Sequence, residues 1–415
     1  MRLLLLTGKG GAGTTTVAAA TALHAATCGT RTLLISLDRP DGLGRILGTR
    51  IGPRTVTLSN GLHVRQAGPG YGPATFPPPD DFASPDDSAS PDDDPTPRDE
   101  RLERVLADAD LDPLPAADLA GLPGAQDILT LLDLFPHLER DDLDLVVLDC
   151  PPPATTLRLL ALPETLRDCL DQLLPVERRV LRAMARGKHP RGDGPPRDHL
   201  ADETDSLRER LLRVRDLLTG PGASVRLVLT PQSAAIESAR RAWTALSLLG
   251  HAVDALVVNQ VINPESGPWP AELLAAQKDL LCGLAADFEP LPVLRAYHAL
   301  AEPVGTSALA APGEDLYGPC GKGSAGELLT EPAVGRFRVE RRGEEYLMVL
   351  PLPLVDRERV RLSRRGDDLV MEVPGQRRVM SLPSALRRCR VTVASLRDAE
   401  LTVRFRPDPA LWPTA

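Results

Sequence analysis

The chain has 415 residues, more than one ordinary domain of ~100 to 200 residues, and 42 % of them are apolar, so a sizeable core can be buried. Aromatic residues make up only 3 %, which rests the core on Leu, Val and Ala and argues against a stacked aromatic platform for single-stranded nucleic acid. The formal charge is −9, and Asp80–Glu100 alone sets nine carboxylates against one arginine; the remainder is nearly neutral, with no global basic field to draw DNA or anionic lipid.

The first apolar run, Leu3 to Thr7, reads as a buried strand. It is too short, and too soon followed by glycine, for a signal peptide or a membrane span, and no later run is long enough. The expectation is a soluble, cytoplasmic protein with no direct membrane span, meeting membranes only through a partner or an exposed groove. No nucleic-acid partner is expected.

Behind that strand stands Gly8-Lys9-Gly10-Gly11-Ala12-Gly13-Thr14-Thr15-Thr16, then a helix of small residues from Val17 to Ala26. Glycines admit positive φ and let backbone N–H groups converge on an anion, and the helix N-terminus adds its own amides and dipole. Strand, glycine-rich loop and helix in this order predict a phosphate-binding P-loop, with Gly8 to Thr16 as its residues. Thr15 occupies the position whose hydroxyl ligates Mg²⁺. Thr14 stands where a P-loop carries the lysine that contacts the β- and γ-phosphates, and a hydroxyl brings no charge to the transferring group.

Thr32 to Ser36 is the next strand, with Asp38 just beyond its C-terminal end, where ligand sites of such sheets gather. Between residues 68 and 98 the chain turns to Pro, Asp, Ser and Gly with almost nothing to bury, which predicts a disordered insertion. Leu143 to Leu148 reads as a buried strand ending in Asp149, followed by Cys150-Pro151-Pro152-Pro153-Ala154-Thr155-Thr156-Leu157-Arg158-Leu159-Leu160. An apolar stripe runs from Leu162 to Met184 within a helical subdomain of about 160–220, broken by a loop over residues 186–196. Val225 to Thr230 and Ala255 to Asn259 are further strands, with a helix from Ile236 to Leu249 between them. The rhythm is that of a mostly parallel sheet flanked by crossover helices, an α/β domain over 1–318.

After a linker at 319–334 the apolar pattern changes to period two: Val360/Leu362, Leu369/Met371/Val373, Leu401/Val403/Phe405. This predicts a small all-β sandwich over 335–406. The six cysteines are scattered without a CxxC pair and the seven histidines show no metal-ligand spacing, so the thiols are expected to be reduced and mostly buried.

The loop's spelling resembles the deviant, two-lysine P-loop of the ArsA, MinD and ParA class. Asp149 and its proline-rich follower resemble the ArsA-type block of a Walker B strand and switch. Leu33 to Asp38, Leu229-Thr230-Pro231-Gln232 and Val257-Val258-Asn259 extend the match, so residues 1 to about 318 resemble the ArsA family of ATPases. That family includes anion-pump subunits and ATPases that guide tail-anchored membrane proteins. Tyr346 to Pro353, Leu362 to Leu369 and Leu401 to Phe405 are similar to the small heat-shock-protein (α-crystallin-like) domain appended to some ArsA-type proteins.

The resemblance implies ATP and Mg²⁺ as cofactors and a homodimer in which Lys9 reaches the partner subunit's nucleotide. It further implies that Asp38 positions the attacking water, that Asp149 organises Mg²⁺, and that Asn259 reads adenine. The switch departs from the family at Pro153-Ala154 and Thr155. The activity implied is a slow ATP hydrolase acting as a switch for a pump or membrane-protein partner; the alternative is a non-hydrolysing scaffold, because of Thr14.

Overall fold

The computed structural model describes residues 1–38, 42–59, 61–67, positions 127, 130–131, 134, 137–138 and 140, then 142–173, 199–320 and 337–409. The acidic insertion at 68–98, the loop at 186–196, most of the linker at 319–334, and the side chains of the Leu162–Met184 stripe beyond Thr165 lie outside the described residues.

Eight strands form one sheet: β1 (Arg2–Gly8), β2 (Thr32–Ser36), β3 (Val56–Ser59), β4 (Leu62–Gln66), β5 (Leu145–Asp149), β6 (Ala223–Leu229), β7 (Val253–Val261) and β8 (Val293–Tyr297). Their spatial order is β3-β4-β2-β5-β1-β6-β7-β8, and every pairing is parallel except β3 with β4. Helices cover both faces, which is why the inner strands read as continuous apolar runs. Leu3 and Leu5 join Leu33, Ile35, Val146 and Leu148 in one core. Leu4 and Leu6 join Leu34, Leu145 and Val147 in the other.

The second of these faces is closed by α1 (Thr14–Thr27), α2 (Gly42–Leu47) and α7 (Thr306–Tyr317). Between α2 and α7 in the chain come α3 (Pro153–Leu173), α4 (His199–Thr219), α5 (Ser233–Leu248) and α6 (Ala271–Asp287), which cover the first face. Helix α1 is apolar nearly all round, with every residue from Val17 to Ala26 buried, because sheet and α7 enclose it from two sides. The fit against α7 is close: a Cβ added to Gly313 would lie 3.1 Å from the Cβ of His24 and 3.2 Å from the carbonyl of Ala20.

Buried charge is paired across these elements. Asp254 on β7 takes Arg2 at 3.0 Å and Arg226 at 3.2 Å, and Arg226 donates to the Tyr317 hydroxyl at 2.9 Å. His251 is fully buried, with Nδ1 3.2 Å from the carbonyl of Leu218, and burial pushes its pKa down to about 4. The folded state therefore holds it neutral, while the unfolded chain takes a proton near the ordinary 6.5. Stability is full above that value and falls as pH drops from 6.5 toward 4 by on the order of 3 kcal/mol. Urea midpoints measured across this range should show the loss, and His251→Gln should flatten part of the slope.

The last strands, β9 (Arg338–Arg342), β10 (Glu345–Pro351), β11 (Arg361–Arg365), β12 (Asp368–Val373), β13 (Gln376–Ser381), β14 (Cys389–Arg397) and β15 (Glu400–Pro407), form two antiparallel sheets, β14-β15-β10-β9 and β11-β12-β13. Alternate residues of β10, β12 and β15 meet between them, as the period-two pattern requires: Met348 and Leu350, Leu369 and Met371, Val403 and Phe405. This sandwich rests on the first domain. Leu248 of α5 joins its core, Thr244 donates to the carbonyl of Pro353 at 3.0 Å, and Arg378 donates to the carbonyl of Leu248 and reaches Glu164 of α3 at 3.3 Å.

One expectation is corrected. Cys28, at the C-terminal end of α1, and Cys320, three residues beyond α7, are 292 residues apart in sequence yet joined in a disulfide, with Cα atoms 5.4 Å apart. The packing of α7 along α1 brings them together. Cys150 and Cys389 are buried free thiols, as expected, and Cys282 is exposed.

Candidate functional site

The C-terminal ends of β1, β2, β5 and β7 open on a cavity of about 600 Å³. Its lining includes Gly8, Lys9, Gly10, Gly11 and Gly13 to Thr16 of the loop, with Asp38, Cys150, Pro152 and Asn259. The connections leaving the adjacent strands β1 and β5 run over opposite faces, α1 over one and α3 over the other, and such a crevice is where open α/β sheets bind ligands.

The loop is built for an anion. Gly13 stands at the N-cap of α1 with φ +79° and Gly11 has φ +83°, left-handed values that glycine adopts without strain. No side chain caps α1, and its first turn carries no acidic residue. The first-turn amides of Thr14, Thr15 and Thr16 thus keep their donors for a ligand at the positive end of the helix. Gly8 is needed for close approach, since a Cβ there would strike the carbonyl of Val228 and lie 2.8 Å from the Thr14 hydroxyl. Lys9 is exposed at the cavity, while Thr14, Thr15 and Thr16 are half-buried.

Asp149 ends β5, between Leu6 of β1 and Ser36 of β2. One carboxylate oxygen accepts from the Ser36 hydroxyl at 2.8 Å, the Thr15 hydroxyl stands near this carboxylate, and Oδ1 is buried with no hydrogen-bond partner. Burial raises its pKa to about 7, opposed by the hydroxyls of Ser36 and Thr15 and aided by the nearby charge of Asp38. A buried carboxylate oxygen lacking a donor, beside a threonine hydroxyl, fits a small hard cation such as Mg²⁺. Asp38 is half-buried at the cavity, and Gln66 at the end of β4 holds its loop, with Nε2 donating to the backbone carbonyls of Ser36 at 3.1 Å and Asp38 at 3.0 Å.

The proline-rich segment is tied to the P-loop strand. Thr7 at 2.7 Å and Thr156 at 2.6 Å both donate to the carbonyl of Pro151, and α3 begins at Pro153, where a missing N–H costs nothing. Asn259 lines the same cavity, but its amide donates to the carbonyl of Ala12 at 2.9 Å, bracing the loop from behind. A Cβ on Gly13 would strike that amide.

Of the residues singled out in the sequence, Lys9, the loop glycines, Thr14 to Thr16, Asp38 and Asn259 line one cavity, while Ala12 and Asp149 are buried behind its lining. Sequence reasoning missed Ser36 and Gln66, whose signal was only their place at or near a strand end. It also missed Gln260, which stands beside Asn259 at the cavity with a left-handed φ of 61°. Among the described residues no helix is long and apolar enough to cross a membrane.

Comparison with known proteins agrees with this geometry. The family described as Anion-transporting ATPase (ArsA ATPase) matches residues 1–318, and the HSP20-like domain found in ArsA matches 343–405. The uncharacterized protein SCO2128 of Streptomyces coelicolor is 37 % identical, with 100 % of this chain and 99 % of the relative aligned. Protein Rv2184c of Mycobacterium tuberculosis is 32 % identical over 100 % and 98 %. A putative arsenical pump-driving ATPase of Prosthecochloris vibrioformis is 27 % identical over 98 % and 96 %. With a family model matched over residues 1–318 and full-length relatives at 37 % and 32 % identity, the chain belongs to the ArsA family of ATPases.

Proposed function

We propose that this protein is an ATP-binding, slowly hydrolysing switch that works as a homodimer and couples its nucleotide state to a pump or membrane-protein partner. The observation that carries the reading is the convergence of the loop glycines, Lys9, Thr15 and Asp38 on one cavity, with the carboxylate of Asp149 buried beside it. The first-turn amides of α1 bind the phosphates, and Asp38 accepts a hydrogen bond from the attacking water and holds it in line. Thr15 and Asp149 hold Mg²⁺, which supplies positive charge against the phosphate oxygens. Lys9 is exposed at the mouth, where it can reach a second copy's nucleotide. The scaffold reading, binding without turnover, rests on Thr14 and predicts the same affinity with no hydrolysis.

ATP binding and steady-state turnover of the full chain with Mg²⁺, beside Asp38→Asn, separate the two. The switch reading expects both proteins to bind ATP and the variant to lose at least about 100-fold in turnover. Binding with zero turnover in both would leave the scaffold, and absence of binding would overturn both readings.

A further inference from the structure

A second cluster lies at the far end of α1, about 20 Å along the helix from the phosphate loop by the rise of 14 residues. His24 and Cys28 are one turn apart on α1, with His24 Nε2 3.5 Å from Cys28 Sγ. Cys320 comes to the same point from the end of α7, and the ligand atoms of all three residues lie within 4.8 Å of one another. We propose that, once the Cys28–Cys320 disulfide is reduced, these three side chains bind a borderline-soft divalent cation such as Zn²⁺, which clips the linker to the P-loop helix.

A disulfide accounts for two sulfurs but not for the third donor set beside them. Zn–S distances near 2.3 Å and Zn–N near 2.0 Å place tetrahedral ligands about 3.5 to 3.8 Å apart. Cys320 is exposed and Cys28 half-buried, so small rotations of the sulfurs away from each other reach that spacing, and solvent can supply the fourth ligand. His24 is buried against the Tyr317 ring, centroids 5.3 Å apart, so its direction is fixed. The C-terminal end of a helix, carrying the negative end of the dipole, favours a cation.

Entry to the site is a balanced exchange. A dithiol reductant gives two electrons and two protons, the Cys28–Cys320 bond breaks into two thiols, and the reductant closes to its own disulfide. The cation then displaces both thiol protons to solvent as the thiolates ligate. The site therefore alternates between two clips, one covalent and one metallic, at the same point of the linker.

The test uses the full chain, reduced with a dithiol, desalted without air, and titrated with Co²⁺ in the absence of nucleotide. The expected result is one equivalent bound per chain, with thiolate-to-cobalt charge-transfer bands that Zn²⁺ displaces. Cys28→Ser and Cys320→Ser should each abolish those bands, and Cys282→Ser, at an exposed thiol elsewhere, should leave them unchanged. His24→Gln should weaken Zn²⁺ by more than the 10- to 100-fold that loss of a merely supporting group costs. His24 is a core residue, so if that variant does not fold, His24→Cys, which keeps a ligand, should restore tight binding in a folded chain. Reduced protein without charge-transfer bands, bands that survive both serine substitutions, or a disulfide that the dithiol cannot open in the folded chain would each overturn the site.

Discussion

Thr14→Lys should raise ATP turnover by about 10²- to 10³-fold, the usual worth of one preorganised donor at a developing charge. Thr14 lies in the first turn of α1 with its hydroxyl over Gly8, at the cavity. A hydroxyl there donates one neutral hydrogen bond, whereas an ammonium places a full charge against oxygens that gain charge in the transition state. The gain should fall on kcat and leave affinity for ATP comparatively little changed, since binding already draws on the loop amides. Steady-state and single-turnover rates of the two proteins, with equal Mg²⁺, check it. An unchanged rate would mean that another group already supplies the charge, and Lys9 from a second subunit would be the first to examine.

Lys9→Ala should weaken ATP-driven dimerisation by about 30-fold or more while sparing folding. Lys9 is exposed in the single chain and supports no core contact, so its removal costs the monomer little. Across a closed dimer the same ammonium would be desolvated against phosphate, where loss of one partner of a charge pair costs about 2 to 5 kcal/mol, about 30-fold or more in dimer affinity. Sedimentation with a slowly hydrolysed ATP analogue and Mg²⁺ reads this directly. A variant that dimerises with nucleotide as tightly as the unaltered chain would remove Lys9 from any role in trans, whatever its turnover.

Much of this architecture was legible because the inner strands are buried on both faces. Leu3 to Leu6, Leu33 to Ile35 and Leu145 to Leu148 announce themselves as apolar runs, and glycines or a terminal aspartate mark where each ends. The edges carry no such signal. Val56–Ser59 is largely exposed, and β8 is only partly buried, so neither shows an apolar run. The site was legible where chemistry restricts residue type, at Gly13 or Asp149. It was not legible where a common residue is recruited by position, as Ser36 and Gln66 are. The Cys28–Cys320 bond spans 292 residues, a pairing only the packing of α7 on α1 reveals. His24 and Cys28 are four apart on a helix and share a face, but without Cys320 beside them that spacing did not stand out as a ligand pair.

The seam between the two domains bears on how the chain can be dissected. Leu248, which fills part of the sandwich core, belongs to α5, and the buried Arg378 of the sandwich finds its acceptors at Leu248 and Glu164 of the ATPase domain. A cut in the linker thus divides a single packed unit: the excised sandwich keeps a hole where Leu248 stood and an arginine stripped of its acceptors, and the severed ATPase shows an uncovered leucine. Each fragment would be stickier and less stable than its sequence in the whole chain, so properties measured on isolated halves, aggregation above all, would describe the wound as much as the domain.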